Sequence, residues 1–201
     1  QACSTRSLAL RISKKVIQKI NQVMNKAIFA GGCFWCTEHD LRGLEGVINV
    51  VSGYTGGAKE NPTYENHGDH REAVEVEYDS KKTSFKKLTQ FFLDHIDPTD
   101  TGGQFFDRGG SYKTAIYFKN EEEKNIALDL LKELDDSHIY DKPHAVEVLP
   151  VTKFYKAEEY HQNYAEKNRE HYEAYREGSG RADYVARTCA IREDKRIAWK
   201  E

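Results

Sequence analysis

The 201-residue chain has no apolar run long enough to cross a bilayer, and no basic start followed by a short apolar core. A membrane span and a secretory leader are therefore not expected. Cysteine is scarce, with only Cys3, Cys33, Cys36 and Cys189. Four are too few for a secreted disulfide scaffold of this length, and they fit reactive or metal-binding thiols in a reducing compartment. Acidic residues are missing from the first 26 positions. There Arg6, Arg11, Lys14, Lys15, Lys19 and Lys26 leave a net −9 on the rest of a chain whose total charge is −3. A basic arm on an acidic body reads as a solvated extension rather than a nucleic-acid contact. The expectations are a cytoplasmic location and a monomer, with lipid anchoring at Cys3 the alternative.

What is present suits a soluble domain: 38% hydrophobic, 31% charged and 11% aromatic residues. The length allows one domain with an arm. Residues 1–25 form the expected arm, because Ile12, Val16, Ile17, Ile20, Val23 and Met24 recur at helical spacing over Leu8 to Met24. Residues 26–185 form the body, and 186–201 a tail carrying Cys189.

The body is organised around Gly31-Gly32-Cys33-Phe34-Trp35-Cys36. Ala27 to Ala30 reads as a buried strand, and the polar-rich stretch after Cys36 as a helix running to about Gly43. The cysteines thus fall at a strand-to-helix turn. Paired glycines let the backbone bend there, and the positive end of the helix favours a thiolate on Cys33. Cys36 lies about one helical turn on, within reach of a disulfide. By itself the Cys-x-x-Cys spacing serves redox sites and zinc sites alike, and a cysteine among aromatics is often only a small core residue.

Further along, Val47 to Tyr54 is a β-branched strand, and Glu72 to Tyr78 alternates polar and apolar residues as a strand with one solvated face. Ser84 caps an expected helix to His95 with Phe85, Leu88, Phe91, Phe92 and Leu93 inward. A long loop rich in Asp, Gly and Pro fills Asp97 to Gly110. Tyr112 to Phe118 and Val146 to Val151 are strands on either side of a helix from Glu121 to Leu134. This order implies an α+β two-layer sandwich with a ferredoxin-like, split βαβ core and a mixed, mostly antiparallel sheet. From Phe154 onward a tyrosine-rich tail, broken at Gly178-Ser179-Gly180, is expected to wrap the body.

Seven segments in order then resemble the A-type peptide methionine sulfoxide reductases: the cysteine turn, Ser52-Gly53-Tyr54-Thr55-Gly56-Gly57, Asn61-Pro62-Thr63-Tyr64, His70-Arg71-Glu72-Ala73-Val74, Ile96-Asp97-Pro98-Thr99-Asp100, Asp107-Arg108-Gly109-Gly110-Ser111-Tyr112 and Gly178-Ser179-Gly180-Arg181. Each is weak alone; together they are specific over about Lys26 to Tyr184. The resemblance implies reduction of the S epimer of methionine sulfoxide, free or in oxidised proteins. Cys33 would be the nucleophile that ends as a sulfenic acid, and Glu72 the acid that protonates the sulfoxide oxygen. Tyr64 and Tyr112 would hold that oxygen, Phe34 and Trp35 would receive the substrate methyl group, and Asp107 would orient the site or meet the substrate backbone. Cys36 and Cys189 are the candidate resolving cysteines, with Cys36 expected to act first. No bound cofactor or metal is implied; thioredoxin or another dithiol would be the reductant. Fusion to a B-type partner domain also occurs in this family. The chain departs from the family between Tyr64 and Glu72, where Asn66-His67-Gly68-Asp69-His70 makes a shorter loop. The competing readings are a thioredoxin-like disulfide oxidoreductase and a zinc module using Cys33, Cys36 and His39 with Cys189 or His67.

Overall fold

In the computed structural model, which describes residues 24–194 and 199, the strands alternate with helices in the order required for a split βαβ core. Strand β1 (Met24–Ala30) leads through the cysteine turn into helix α1 (Phe34–Arg42). Strands β2 (Val47–Thr55) and β3 (Arg71–Asp79) follow, then helix α2 (Phe85–Asp94). A two-residue hairpin, β4 (Gly103–Gln104) with β5 (Asp107–Arg108), interrupts the long loop before β6 (Ala115–Phe118). Helix α3 (Glu121–Asp136) returns the chain to β7 (Glu147–Pro150) and on to β8 (Tyr155–Lys156). Helices α4 (Tyr164–Lys167), α5 (Arg169–Gly178) and α6 (Arg181–Asp194) finish it.

The six-stranded sheet runs β7-β6-β1-β3-β2-β8. Strand β3 pairs antiparallel with both β1 and β2, which are therefore parallel to each other with β3 between them. This is the split βαβ, and β6 completes it by pairing antiparallel with the other side of β1. Only the β6–β7 pair is parallel, so the sheet is mixed and mostly antiparallel, as the order of elements implied.

Side-chain alternation sorts the sheet into two faces. Ala27 and Phe29 of β1, Val50 and Tyr54 of β2, Val74, Val76 and Tyr78 of β3 and Ile116 of β6 join Phe34, Leu41, Leu88, Phe92, Leu130 and Leu131 from the helices in one core. The opposite face carries a smaller cluster of Ile28, Ala30, Ala73, Ala115 and Tyr117, covered by Leu149 and Phe154. The solvated face expected for β3 is therefore wet only along Glu75 and Glu77, while Ala73 is buried under the returning chain.

Local chemistry sets the helix ends. Ser84 accepts the Lys87 N–H at 3.2 Å, and Asn120 accepts the Glu123 N–H at 2.9 Å at the start of α3. Three glutamates open α3, where they favour its positive end.

Several boundaries differ from expectation. Strand β1 starts at Met24 rather than Ala27, because Met24 to Phe29 find partners along β3 and Lys26 pairs with Glu75 at 2.7 Å and Glu77 at 3.2 Å. The expected arm helix otherwise lies outside the described residues, as does Cys3. Tyr112 is not in a strand. It ends a short 3-10 turn from Gly110, entered through Gly109 at φ 113°, and regular pairing begins only at Ala115. Cys189, expected in the wrapping tail, lies on α6, and the expected division at 185/186 falls inside that helix. Among the described residues no helix is long and apolar enough to cross a membrane.

Candidate active site

The topology gathers the site at one end of the sheet. Strands β1 and β2 finish where β3 and β6 begin, because each of the pairs β1–β3, β1–β6 and β2–β3 is antiparallel. Cys33 follows the end of β1, Glu72 sits at the start of β3, Tyr112 precedes β6, and Tyr64 lies in the loop leaving β2. Four loops and strand ends thus converge, bringing together residues spread from Cys33 to Tyr112.

Gly32 makes the turn possible. It sits at φ +80°, and a Cβ there would come within 2.5 Å of the Gln104 side chain. Gln104 in turn is locked to Asp97, accepting its N–H at 2.8 Å and donating to its carbonyl at 2.8 Å. Cys33 is then the N-cap residue of α1, its carbonyl accepting the Thr37 N–H at 3.2 Å. Both thiols are buried, Cys36 completely, and they are in hydrogen-bonding contact with each other. Tyr172 of α5 and Ala165 pack over them.

Glu72 continues the Val74, Val76, Tyr78 file and so points into the helix layer rather than to solvent. It is 2% exposed, and its Oε2 accepts the Phe34 N–H at 3.0 Å. Burial pushes its carboxyl up to about 8, with Asp107 and Cys36 adding to the rise; the Phe34 N–H and a hydrogen bond from Tyr112 restrain it. Glu72 is therefore mostly a neutral acid at pH 7.

The expected acidity of Cys33 is corrected by the same contacts. Burial raises its thiol well above the ordinary value, followed by its hydrogen bond to Cys36 and the nearby Glu72 and Asp107. The first N–H of the helix, which was to favour a thiolate, is occupied by Glu72. Cys36 shifts the other way, first through its hydrogen bond with Cys33, with Arg181 and Tyr172 helping against burial.

A cleft of about 110 Å³ is lined by Cys33, Phe34, Trp35, Tyr64, Glu72, Asp107, Tyr112 and Tyr175. Seven of these eight are residues singled out in the sequence; Tyr175 is not. It comes from α5, its hydroxyl donates to Asp107, and its ring meets Trp35 edge-on at 6.2 Å. Trp35 is held further by a stack on Tyr164 at 3.7 Å and by donating its indole N–H to His161 Nδ1 at 3.1 Å. His161 is buried beside Phe34 and Tyr64, with ring centroids at 4.9 and 4.6 Å, and burial lowers its pKa, keeping it neutral. Glu158 ties this wall together, accepting the Tyr54 hydroxyl and the Tyr64 N–H, both at 2.9 Å. Tyrosine richness after Phe154 was the only sequence signal for these supports.

Tyr64 is 39% exposed and shares a hydrogen bond with Tyr112, so the two hydroxyls form the wet lip of the cleft. Burial raises both phenols, keeping them protonated donors. The short loop between Tyr64 and Glu72 is pinned rather than loose. His70 accepts the Gly57 N–H at 3.2 Å and donates to the Lys59 carbonyl at 2.7 Å, while His67 stacks on Tyr54 at 5.9 Å. His39 packs on Tyr172 at 5.0 Å, and no three His, Cys, Asp or Glu residues among those described gather to hold a metal ion. Cys189, partly exposed on α6, is not among the residues packed around Cys33 and Cys36.

A buried thiol pair beside a neutral carboxylic acid and two phenol donors, set at the end of an α+β sheet, defines a thiol-based oxidoreductase site. The family model for peptide methionine sulfoxide reductase matches residues 25–192, and the chain belongs to that family. It is 48% identical over 163 residues to the peptide methionine sulfoxide reductase MsrA of Bacillus pumilus, covering 79% of this chain and 92% of that one. The MsrA/MsrB protein of Vibrio cholerae is 43% identical over 164 residues; the match takes in 80% of this chain and 43% of that longer protein. Among solved structures, reduced Mxr1 from Saccharomyces cerevisiae superposes with a TM-score of 0.69 at 27% identity, over 74% of this chain and 87% of that one.

Proposed function

We propose that this protein reduces the S epimer of methionine sulfoxide, free or protein-bound, to methionine. The observation that carries the reading is the neutral carboxyl of Glu72 facing the Cys33 thiol in one small cleft. A sulfoxide oxygen leaves poorly until protonated, and Glu72 supplies the proton that a solvated carboxylate would lack at pH 7. Tyr64 and Tyr112 hydrogen-bond the oxygen as its charge grows. Phe34 and Trp35 form the apolar wall for the S-methyl group, and Asp107, oriented by Tyr175, holds the edge where substrate backbone would lie.

Sulfur of Cys33 attacks the sulfoxide sulfur. The oxygen ends on Cys33 as a sulfenic acid and the thioether leaves as methionine, so the substrate sulfur is reduced while the cysteine is oxidised. Cys36 then attacks the sulfenic sulfur, the S–S bond forms, and the oxygen departs as water. Its fixed place on α1 supports Cys36 over Cys189 in this first exchange. An external dithiol must reopen the disulfide. Mxr1 has been solved in complex with Trx2, and for this chain we propose a thioredoxin in that role. Plain disulfide exchange gives no task to Glu72, Tyr64 and Tyr112, so we set the thioredoxin-like reading aside.

Anaerobic single turnover of the separated epimers, with thiols counted, tests the reading. About one methionine per protein from the S epimer only, with two thiols lost, is expected. Cys33→Ser should release none, and Cys36→Ser should release one but stall on recycling. No methionine from either epimer would sink the proposal; normal cycling of Cys36→Ser with stalling of Cys189→Ser would reverse the order of resolution.

A further inference from the structure

The hairpin before β6 carries the most exposed large apolar side chain among the described residues. Phe106 is 71% exposed, against 57% for Tyr160 and 52% for Ile48. A lone apolar residue on a surface needs no explanation, but this one stands on a turn built to hold it out. Phe105 and Phe106 join β4 to β5, and Phe105 takes φ +56°, a left-handed conformation that bulky side chains rarely adopt. Packing of its own ring keeps it there, edge-on to Tyr184 at 5.4 Å and under the Arg181 guanidinium at 4.9 Å. On either side of the turn, Gln104 is bound to Asp97 through both ends of its amide, and Arg108 to Asp100 at 2.8 Å. One phenylalanine is thus pinned inward and the next turned to solvent, with local strain held by its surroundings.

The residue after Phe106 is Asp107, which lines the cleft and accepts the Tyr175 hydroxyl. Consecutive Cα atoms are about 3.8 Å apart, so Phe106 stands at the rim of the cleft. Beyond the hairpin, a Cβ on Gly109 or Gly110 would meet nothing within 4 Å, which leaves the strip between β5 and Tyr112 open to another backbone. The charged side chains of β5 are engaged within the protein, Arg108 by Asp100 and Asp107 by Tyr175. The tip is left to recognise by apolar contact.

We propose that Phe106 is a specificity-determining residue whose ring packs on an apolar side chain one or two positions from the oxidised methionine of a polypeptide substrate. This rests on the reductase reading and adds to it a contact outside the reacting atoms. A methionine sulfoxide with its S-methyl group against Phe34 and Trp35 carries its own backbone out over the rim where Asp107 lies. An extended chain advances about 3.3 Å per residue, so neighbouring side chains fall within reach of Phe106. Covering this exposed ring removes apolar area from water on both partners and favours aromatic or large aliphatic neighbours over polar ones. Free methionine sulfoxide has no neighbouring side chain and gains nothing. Continuity with the cleft selects a segment of substrate as the occupant, over a reductant protein or a second copy of this chain.

Steady-state kinetics of the full chain test this, with dithiothreitol as reductant so that no partner protein takes part. The probes are blocked pentapeptides of the S epimer with Phe or Ser beside the sulfoxide, and N-acetylmethionine S-sulfoxide. Wild type should reduce the Phe peptides with kcat/KM about fivefold or more above the Ser peptides. Phe106→Ser should lose that advantage through KM, with its N-acetylmethionine sulfoxide rate within about twofold of wild type, and Phe106→Trp should keep it. No preference in wild type, or an equal loss on all probes, overturns the proposal. So does a Phe106→Ser protein whose only change is a higher KM for thioredoxin, which gives the tip to the reductant, or the loss of a dimer in sedimentation, which gives it to a second copy. Should Phe106→Ser not fold, fluorescence decides. In Cys33→Ser/Phe106→Trp, the Phe peptide should shift the emission beyond its effect on Cys33→Ser, and no added shift refutes the contact. Failure of wild type to release methionine from any of the probes would instead overturn the reductase reading.

Discussion

At the scale of single residues, Glu72 is where sequence position and chemistry part company. Its place at the entrance of an alternating strand suits a solvated side chain, yet the same alternation puts it on the buried face one step beyond Val74. Replacing it with Gln keeps the acceptor for the Phe34 N–H and removes the transferable proton. Methionine release should fall by about 10²- to 10⁴-fold. Stability should move in the opposite direction. The carboxyl sits near 8 when folded against 4.5 as its ordinary value, so the unfolded chain ionises first and wild type loses stability as pH rises from about 4.5 to about 8. Glu72→Gln lacks that loss and should gain on the order of 3 kcal/mol at pH 7, shrinking to nothing below about pH 4.5, measured by urea melts across that range. Equal slopes for the two proteins would show that Glu72 is ionised in the fold. Tyr112→Phe removes one donor to the sulfoxide oxygen and should lower the rate of methionine release by about 100-fold with little change in folding. The seven segments made Cys33, Glu72, Tyr64, Tyr112 and Asp107 visible in the sequence. They did not convey that Cys33 rests as a high-pKa thiol, because that follows from burial and from Glu72 occupying the helix N-terminus.

At the scale of elements, the cysteine turn depends on Gly32 more than on any side chain. Gly32→Ala forces a Cβ into the left-handed region and within 2.5 Å of Gln104. The expected cost is at least about 1–2 kcal/mol, with Cys33 misplaced and activity lost even in the folded fraction. An Ala variant with wild-type turnover would contradict this account of the turn. Helix α2 illustrates the part that periodicity does convey: Leu88, Phe92 and Leu93 were assigned inward and are fully buried. Phe92→Ala should cost about 3–5 kcal/mol through the cavity it leaves under Phe29, readable in the same melts. Two of the differences, at β1 and at the segment around Tyr112, concern the ends of elements. The first extends because β3 offers partners as far as Asp79; the second stops short because Gly109 and Gly110 turn the chain.

Across the whole molecule, the segment after Phe154 is a structural part of the site rather than a cover. Gln162 ties Ser52 of β2 to Ala157, just past β8, with three hydrogen bonds of 2.9–3.1 Å, and Glu38 of α1 accepts the Asn163 N–H at 3.1 Å. Through these clamps His161, Tyr164 and Tyr175 reach Trp35, and Arg181 reaches Gly31. Gln162→Ala strands two buried backbone groups, the Ser52 N–H and the Ala157 carbonyl, while the Ser52 carbonyl keeps the Ala157 N–H at 2.9 Å. It should cost about 2–4 kcal/mol and speed proteolysis between β8 and α5 before the core opens, while a uniform protection pattern would argue against a separable clamp.

The sequence by itself determined the split βαβ order, the inward faces of its helices, the nucleophile at a glycine-lined turn, and the family to which these residues point. Those properties are local or additive: periodicity, turn chemistry and motif spacing act over a few residues at a time. Tertiary structure alone decided the protonation of Cys33, Cys36 and Glu72, the recruitment of Tyr175 and His161, and the burial of Arg181 beneath the catalytic turn. Each of these depends on which distant groups share a low-dielectric space, and that is set only when antiparallel pairing brings the strand ends together and the C-terminal helices close over them.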